Sequence, residues 1–125
     1  MYNRLVHDYF FKPRHVGEID LKNHFAVVAK NHQKGQGMIE LYLQCNSNGT
    51  IVRACFRSSC NPFVIAGLEW LCRFVEGKSI HATPQIDYQL IVKELEIPLT
   101  QYPLAIRIKN VYEEALLLMK RNHQI

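Results

Sequence analysis

An α+β domain, in which a three-stranded antiparallel sheet packs against helices, is the fold class this sequence predicts. Three observations carry the prediction. Strand-like patterns are grouped in the first half of the chain and helix-like patterns in the second. The run Asn46, Ser47, Asn48, Gly49 has the Asn-Gly signal of a tight hairpin between two of the strands. Two later stretches carry apolar residues at helical spacing, on stripes wide enough to cover one face of a sheet.

Taken in order, residues 1–11 place Leu5, Val6, Tyr9 and Phe10 at near-helical spacing after Asn3, and Pro13 stops the pattern, which predicts a short amphipathic helix. The proline and glycine of 12–17 mark a loop, and 18–24 has no clear period. A first strand is predicted over 25–29. The polar segment 30–37, with two glycines, then leads into a second strand over 38–45 whose apolar face is Ile39, Leu41, Leu43 and Cys45. The third strand, 51–57, alternates Val52, Ala54 and Phe56 on one face with Arg53, Cys55 and Arg57 on the other.

At Asn61 and Pro62 the period changes from two to about 3.6. Asparagine is a good N-cap, and proline at the first helical position sacrifices only an N–H that has no intrahelical partner. Val64, Leu68, Leu71 and Val75 form the inward stripe, Ile65 and Cys72 widen it, and Gly77 suits a left-handed cap. Thr83 and Pro84 repeat the cap-plus-proline signal and predict a helix facing inward through Ile86, Leu90 and Leu95. Pro103 starts the last helix, where Leu104, Ile108, Val111, Ala115 and Leu118 step by four, three, four and three.

At 125 residues the sequence predicts one domain over 1–125, able to bury a core without disulfides or structural metal. The formal charge of +4 comes without a basic run long enough to track a nucleic-acid backbone, and no apolar stretch approaches a signal peptide or a membrane span. These features exclude nucleic acid and membrane as partners and predict a cytoplasmic protein. Four cysteines, Cys45, Cys55, Cys60 and Cys72, lack any CxxC spacing and read as free thiols. Ser58, Ser59 and Cys60 have no histidine and acid placed by sequence to activate a nucleophile, so no enzyme is predicted.

Ordered pieces along the chain resemble one family, the IscU/NifU N-terminal type of iron-sulfur cluster assembly scaffold. Asp8, Tyr9 and Phe10, followed by Lys12, Pro13, Arg14, His15, Val16 and Gly17, are similar to the family's opening signature of an aspartate and aromatics before Asn-Pro-Arg-Asn-Val-Gly. Gly49, Phe56, the pair Ile65 and Ala66, the run Gly77, Lys78, Ser79, and the run from Glu94 to Pro98 also fall where the family has equivalents. The resemblance implies a SufE/NifU-like sandwich.

It also implies where a nascent cluster would be held: three cysteines, an aspartate two residues past the first, and a histidine before the third. By position the first cysteine falls at Gly35, or Lys34 if a gap is moved, and the aspartate at Gly37 or Gln36. The second falls at Asn61, the histidine at Pro103 and the third cysteine at Leu104. None keeps its ligand type, and a neutral amide or a leucine does not replace a thiolate on iron. The family's chaperone segment, Leu-Pro-Pro-Val-Lys, corresponds to Ile97, Pro98, Leu99, Thr100 and Gln101, where only the first proline survives.

The expectation is a scaffold-like protein that has lost the cluster ligands, carries no resident cofactor, and binds a cysteine desulfurase or another iron-sulfur assembly protein as a modulator. Two alternatives stand beside it. One is a small metal or persulfide carrier, with Cys60 and His32 (or His24) as an improvised zinc or iron site and Cys60 activated by the helix start beside it. The other is an interaction module unrelated to iron-sulfur assembly. His7, His15, His81 and His123, with Arg53, Arg57, Arg73, Lys109, Lys120 and Arg121, read as solvated surface.

Overall fold

The computed structural model describes residues 2–22, 25–82 and 85–123. The order of elements is α1 (Arg4–Phe11), β1 (Ala26–His32), β2 (Met38–Cys45), β3 (Ile51–Ser58), α2 (Pro62–Val75), α3 (Tyr88–Leu95) and α4 (Tyr102–His123), with a 3-10 turn at Leu99–Gln101 before α4. The strands form one antiparallel sheet in the order β1-β2-β3, and α2 and α4 cover a single face of it. The α+β class and the meander follow the sequence prediction.

Local signals set most of the boundaries. Asn3 caps α1 by accepting from the Val6 amide at 2.8 Å, and Asn61 caps α2 by accepting from the Val64 amide at 3.3 Å, with Pro62 next to it. Beyond α2, Gly77 takes φ +88°, a left-handed value for which glycine pays no Cβ penalty. Val64, Leu68, Leu71, Cys72 and Val75 are all fully buried, as the stripe requires. Each such side chain taken from water contributes about 1.5–3 kcal/mol, so the α2 stripe alone holds the helix to the sheet.

Four expectations are corrected. First, β1 runs through Lys30, Asn31 and His32, because those polar residues still pair with Glu40, Ile39 and Met38, and the loop shortens to 33–37. Second, Val52 is half exposed: β3 pairs Ile51 with Cys45 but Arg53 with Gln44, so a bulge at Val52 turns it outward and puts Ile51 in the core. Third, Cys55 is buried with Ile19, Ala26 and Tyr42, since the segment after α1 covers part of the outer sheet face. Fourth, α3 begins at Tyr88, capped by Asp87, and buries Ile91 rather than Leu90. Thr83 and Pro84, the expected start, lie outside the described residues, as does His24.

In α4 the stripe holds at Ile108, Val111 and Ala115, but Met119 is buried and Leu118 only partly so. Close approach to α2 explains Gly67: a Cβ there would meet Ile108 Cδ1 at 2.6 Å. No helix among the described residues is long and apolar enough to cross a membrane.

Candidate functional site

The loop 33–37, the turn before α2 and the first turn of α4 meet at one end of the sandwich. Gly35, Gly37, Cys60, Asn61, Pro103 and Leu104 line one open cleft there, so the positions to which the resemblance assigns the family's ligands are brought together. What converges is chemically inert toward iron: two glycines, an amide, a proline and a leucine, beside one thiol. Asn61 is also occupied, its carbonyl in the α2 cap and its Nδ2 donating to Gln101 Oε1 at 3.0 Å. Gly37 has φ +79°, and a Cβ on it would meet Cys60 Sγ at 3.0 Å and Ser59 Oγ at 3.1 Å, so an acidic side chain at this point would strain the backbone and displace those two side chains slightly. These residues do not fit an iron-sulfur cluster. Among the described residues, no group of three or more His, Cys, Asp and Glu side chains converges to hold a metal ion.

Cys60 is partly buried and directs Sγ toward the Gln36 and Met38 carbonyls, at 3.4 and 3.5 Å. His32 is exposed and lines the neighbouring cleft with Met38 and Ser59. Cys45, Cys55 and Cys72 are buried in the core or under the outer cover, and burial raises each of their thiol pKa values, Cys72 most. Because the thiolate is the nucleophile, Cys60 should be the first of the four modified by iodoacetamide at neutral pH. Peptide mass mapping after brief treatment checks this, and earlier labelling of Cys45 or Cys72 would contradict the core assignment.

The sequence reading missed two buried charged residues, Arg107 under this end of the molecule and Glu69 midway along α2. Arg107, on α4, is only 4% exposed, and its guanidinium reaches Asn31 Oδ1, Gln36 O and Gly37 O, each at 2.9 Å. Glu69, on α2, is fully buried. One of its oxygens accepts the backbone N–H groups of Arg14 and His15 at 2.8 and 2.9 Å, and the other meets His15 Nδ1 at 2.6 Å and Arg73 Nε at 2.7 Å. Burial by itself would raise the Glu69 pKa. The hydrogen bonds from Arg73 and from the His15 side chain, then those from the two amides, outweigh it and leave the carboxyl below its usual range.

This network corrects the reading of His15 and Arg73 as solvated. His15 bridges Glu69 and Glu76 through its two ring nitrogens, and Arg73 stacks over the Tyr9 ring at 4.1 Å. The segment is fixed from a second side, where Phe56 N–H donates to His15 O and Gly17 N–H to Phe56 O. The backbone from Arg14 to Gly17 is therefore pinned between α2 and β3. On its outside it displays Phe11, Lys12, Arg14 and Val16, with Phe11 and Val16 64% and 59% exposed. A signal for both buried charges existed in the sequence: Glu69 lies between inward positions Leu68 and Cys72 with Arg73 four residues on, and Arg107 is in phase with Leu104 and Val111.

Comparison with known proteins agrees with this architecture. The sequence profile of the NifU-like N terminal domain matches residues 1–124. The iron-sulfur cluster assembly scaffold protein IscU of Haemophilus influenzae is 27% identical over 124 residues, covering 92% of this chain and 89% of that protein. Among solved structures, the N-terminal part of a nitrogen-fixing NifU-like protein from Brucella abortus superposes with a TM-score of 0.69 at 11% identity, covering 95% of this chain and 94% of the other. A structure described as an assembly scaffold for the SUF system, from Fervidobacterium islandicum AW-1, gives 0.71 at 14% identity, covering 92% and 96%.

Proposed function

The chain belongs to the NifU-like N-terminal domain family of iron-sulfur cluster assembly scaffolds, and on that premise we propose that it is a scaffold-like member without the cluster ligands, which binds an assembly partner such as a cysteine desulfurase as a modulator in the cytoplasm. The observation that carries the reading is the contrast between the cleft and the N-terminal segment along α2. The cleft to which the resemblance assigns the ligands is lined by Gly35, Gly37, Asn61, Pro103 and Leu104, whereas the N-terminal signature segment is held by Glu69 and Phe56.

A pinned backbone presenting two exposed apolar side chains among cations suits protein recognition, because little chain entropy remains to be lost on docking. Lys12 and Arg14 are exposed on this segment, and Lys30 and Lys34 at the end of β1 and in the loop after it; among the described residues only Lys30 of the four has a carboxylate within reach, Glu40 at 4.0 Å. They favour an acidic partner surface and a salt-sensitive encounter.

Binding of a desulfurase from the source organism, followed by titration calorimetry at low and high salt, tests the proposal. Charge reversal at Lys12 and Arg14 together should weaken the complex about tenfold or more while leaving the melting curve unchanged, since both side chains are exposed. No heat with any desulfurase of that organism at any salt would favour the interaction module of another process. The carrier alternative, using Cys60 with His32, is supported only by their adjacent clefts.

A further inference from the structure

Arg107 is an anomaly in the physics of the core. A guanidinium removed from water costs several kcal/mol unless its charge and its N–H groups are matched. None of the ion pairs among the described residues involves it. Its surroundings are instead neutral acceptors, and they use the whole donor set. Nε donates to Asn31 Oδ1, Nη1 to Gln36 O with Cys60 Sγ at 3.8 Å, and Nη2 to Asn31 O at 3.3 Å and Gly37 O at 2.9 Å. Five N–H groups meet five acceptors drawn from the end of β1, the loop 33–37 and the turn before α2.

We propose that Arg107 is the resident cation of this site: a positioning residue whose guanidinium clamps the loop 33–37 onto α4 and Cys60 and bars metal ions from the Cys60 thiol. Arg107 sits one turn beyond Leu104 on α4 and reaches toward the same loop from which Gly35 and Gly37 line the cleft. Carbonyl oxygens turned toward one fixed positive charge need no second, mobile one. A divalent ion at Cys60 would have to sit beside a buried positive charge and compete with it for the Gln36 carbonyl. Gly37 suits the clamp, for its φ is +79° and a Cβ there would press on Cys60 Sγ at 3.0 Å and Ser59 Oγ at 3.1 Å. The inference holds whether or not a partner docks at this end.

The test uses the full chain with Arg107→Gln, which removes the charge, and Arg107→Lys, which keeps the charge but loses the planar fork. Three readouts are compared with the native chain: amide exchange of the loop 33–37, the ratio of Cys60 alkylation rates by anionic iodoacetate and neutral iodoacetamide, and protection of Cys60 from iodoacetamide by Zn²⁺. The Gln variant should exchange its loop about tenfold faster. Its iodoacetate-to-iodoacetamide ratio should fall about three- to sixfold, the effect of one charge roughly 4 Å away in a water-like medium, and Zn²⁺ should protect its thiol but not the native one. The Lys variant should loosen the loop while keeping the native ratio, a separation that loss of packing alone would not give. The proposal is overturned by native exchange in the loop of either folded variant, by an unchanged ratio in Arg107→Gln, or by Zn²⁺ protection of the native thiol. If the Gln variant does not fold, the Lys variant decides by the same exchange and ratio.

Discussion

Replacing Glu69 by alanine should destabilise the protein by about 3–5 kcal/mol, the range for removing one partner of a buried charged network, and lower Tm by roughly 10–20 °C at this chain length. The magnitude follows from what is left behind. Arg14 and His15 would each have a backbone N–H without its acceptor, and Arg73, only 27% exposed at its side chain, would lose its carboxylate. Each buried donor left unmatched costs about 1–3 kcal/mol. Glu76, a third exposed and in contact with His15 alone among these groups, serves as the comparison. Its alanine variant should cost no more than about 1 kcal/mol.

The same carboxyl gives the expected pH dependence. Its native pKa is lowered relative to the unfolded chain, where a glutamate titrates near about 4.3. The stabilisation is therefore fully present above that unfolded value and is lost as pH falls through the native one. Urea melts at neutral pH and in steps below pH 5 should show native stability falling more steeply toward acid than that of Glu69→Gln. Equal slopes, or a neutral-pH cost for Glu69→Ala below 1 kcal/mol, would mean that the segment at Arg14 to Gly17 is held by something else. The variant also separates fold from function: it removes no exposed side chain of the proposed docking segment, yet it should weaken partner binding by freeing the backbone that presents Lys12 and Arg14.

What was legible in the sequence was decided by local rules. Asn3, Asn61 and Gly77 act within one turn of their own position, and the α2 stripe is periodic over 14 residues, so both could be read directly. The family assignment was legible too, because ordered motifs run along nearly the whole chain. The failures share a different cause, in that each depends on residues distant in the chain. Val52 turns outward because of a mismatch with β2 that no pattern in β3 reveals. Cys55 looks solvent-facing until Ile19 is laid over it. His15 looks like surface until Glu69 and Glu76 arrive from α2, more than fifty residues on. Arg107 sits at an inward phase of α4, which marks it as a charge needing partners, but its partners Asn31, Gln36 and Gly37 are 70 to 76 residues away.

Anaerobic reconstitution with ferrous iron, sulfide and a cysteine desulfurase should leave the purified protein without a stable cluster, colourless and with substoichiometric iron. The argument is one of ligand count and of geometry. Iron in such clusters is held chiefly by thiolates, and of the four thiols three are buried away from the cleft, leaving Cys60. That thiol is turned toward the Gln36 and Met38 carbonyls and lies beside the Arg107 guanidinium, whose charge opposes a cation. Asn61 is held in the α2 cap and by Gln101, and Leu104 offers no lone pair. Iron and sulfide in stoichiometric amounts, with visible charge-transfer bands that disappear in Cys60→Ser, would overturn the ligand-free reading and move the carrier alternative into its place. Weak iron that is unaffected by Cys60→Ser and removed by desalting would be nonspecific, and would support the proposed ligand-free scaffold.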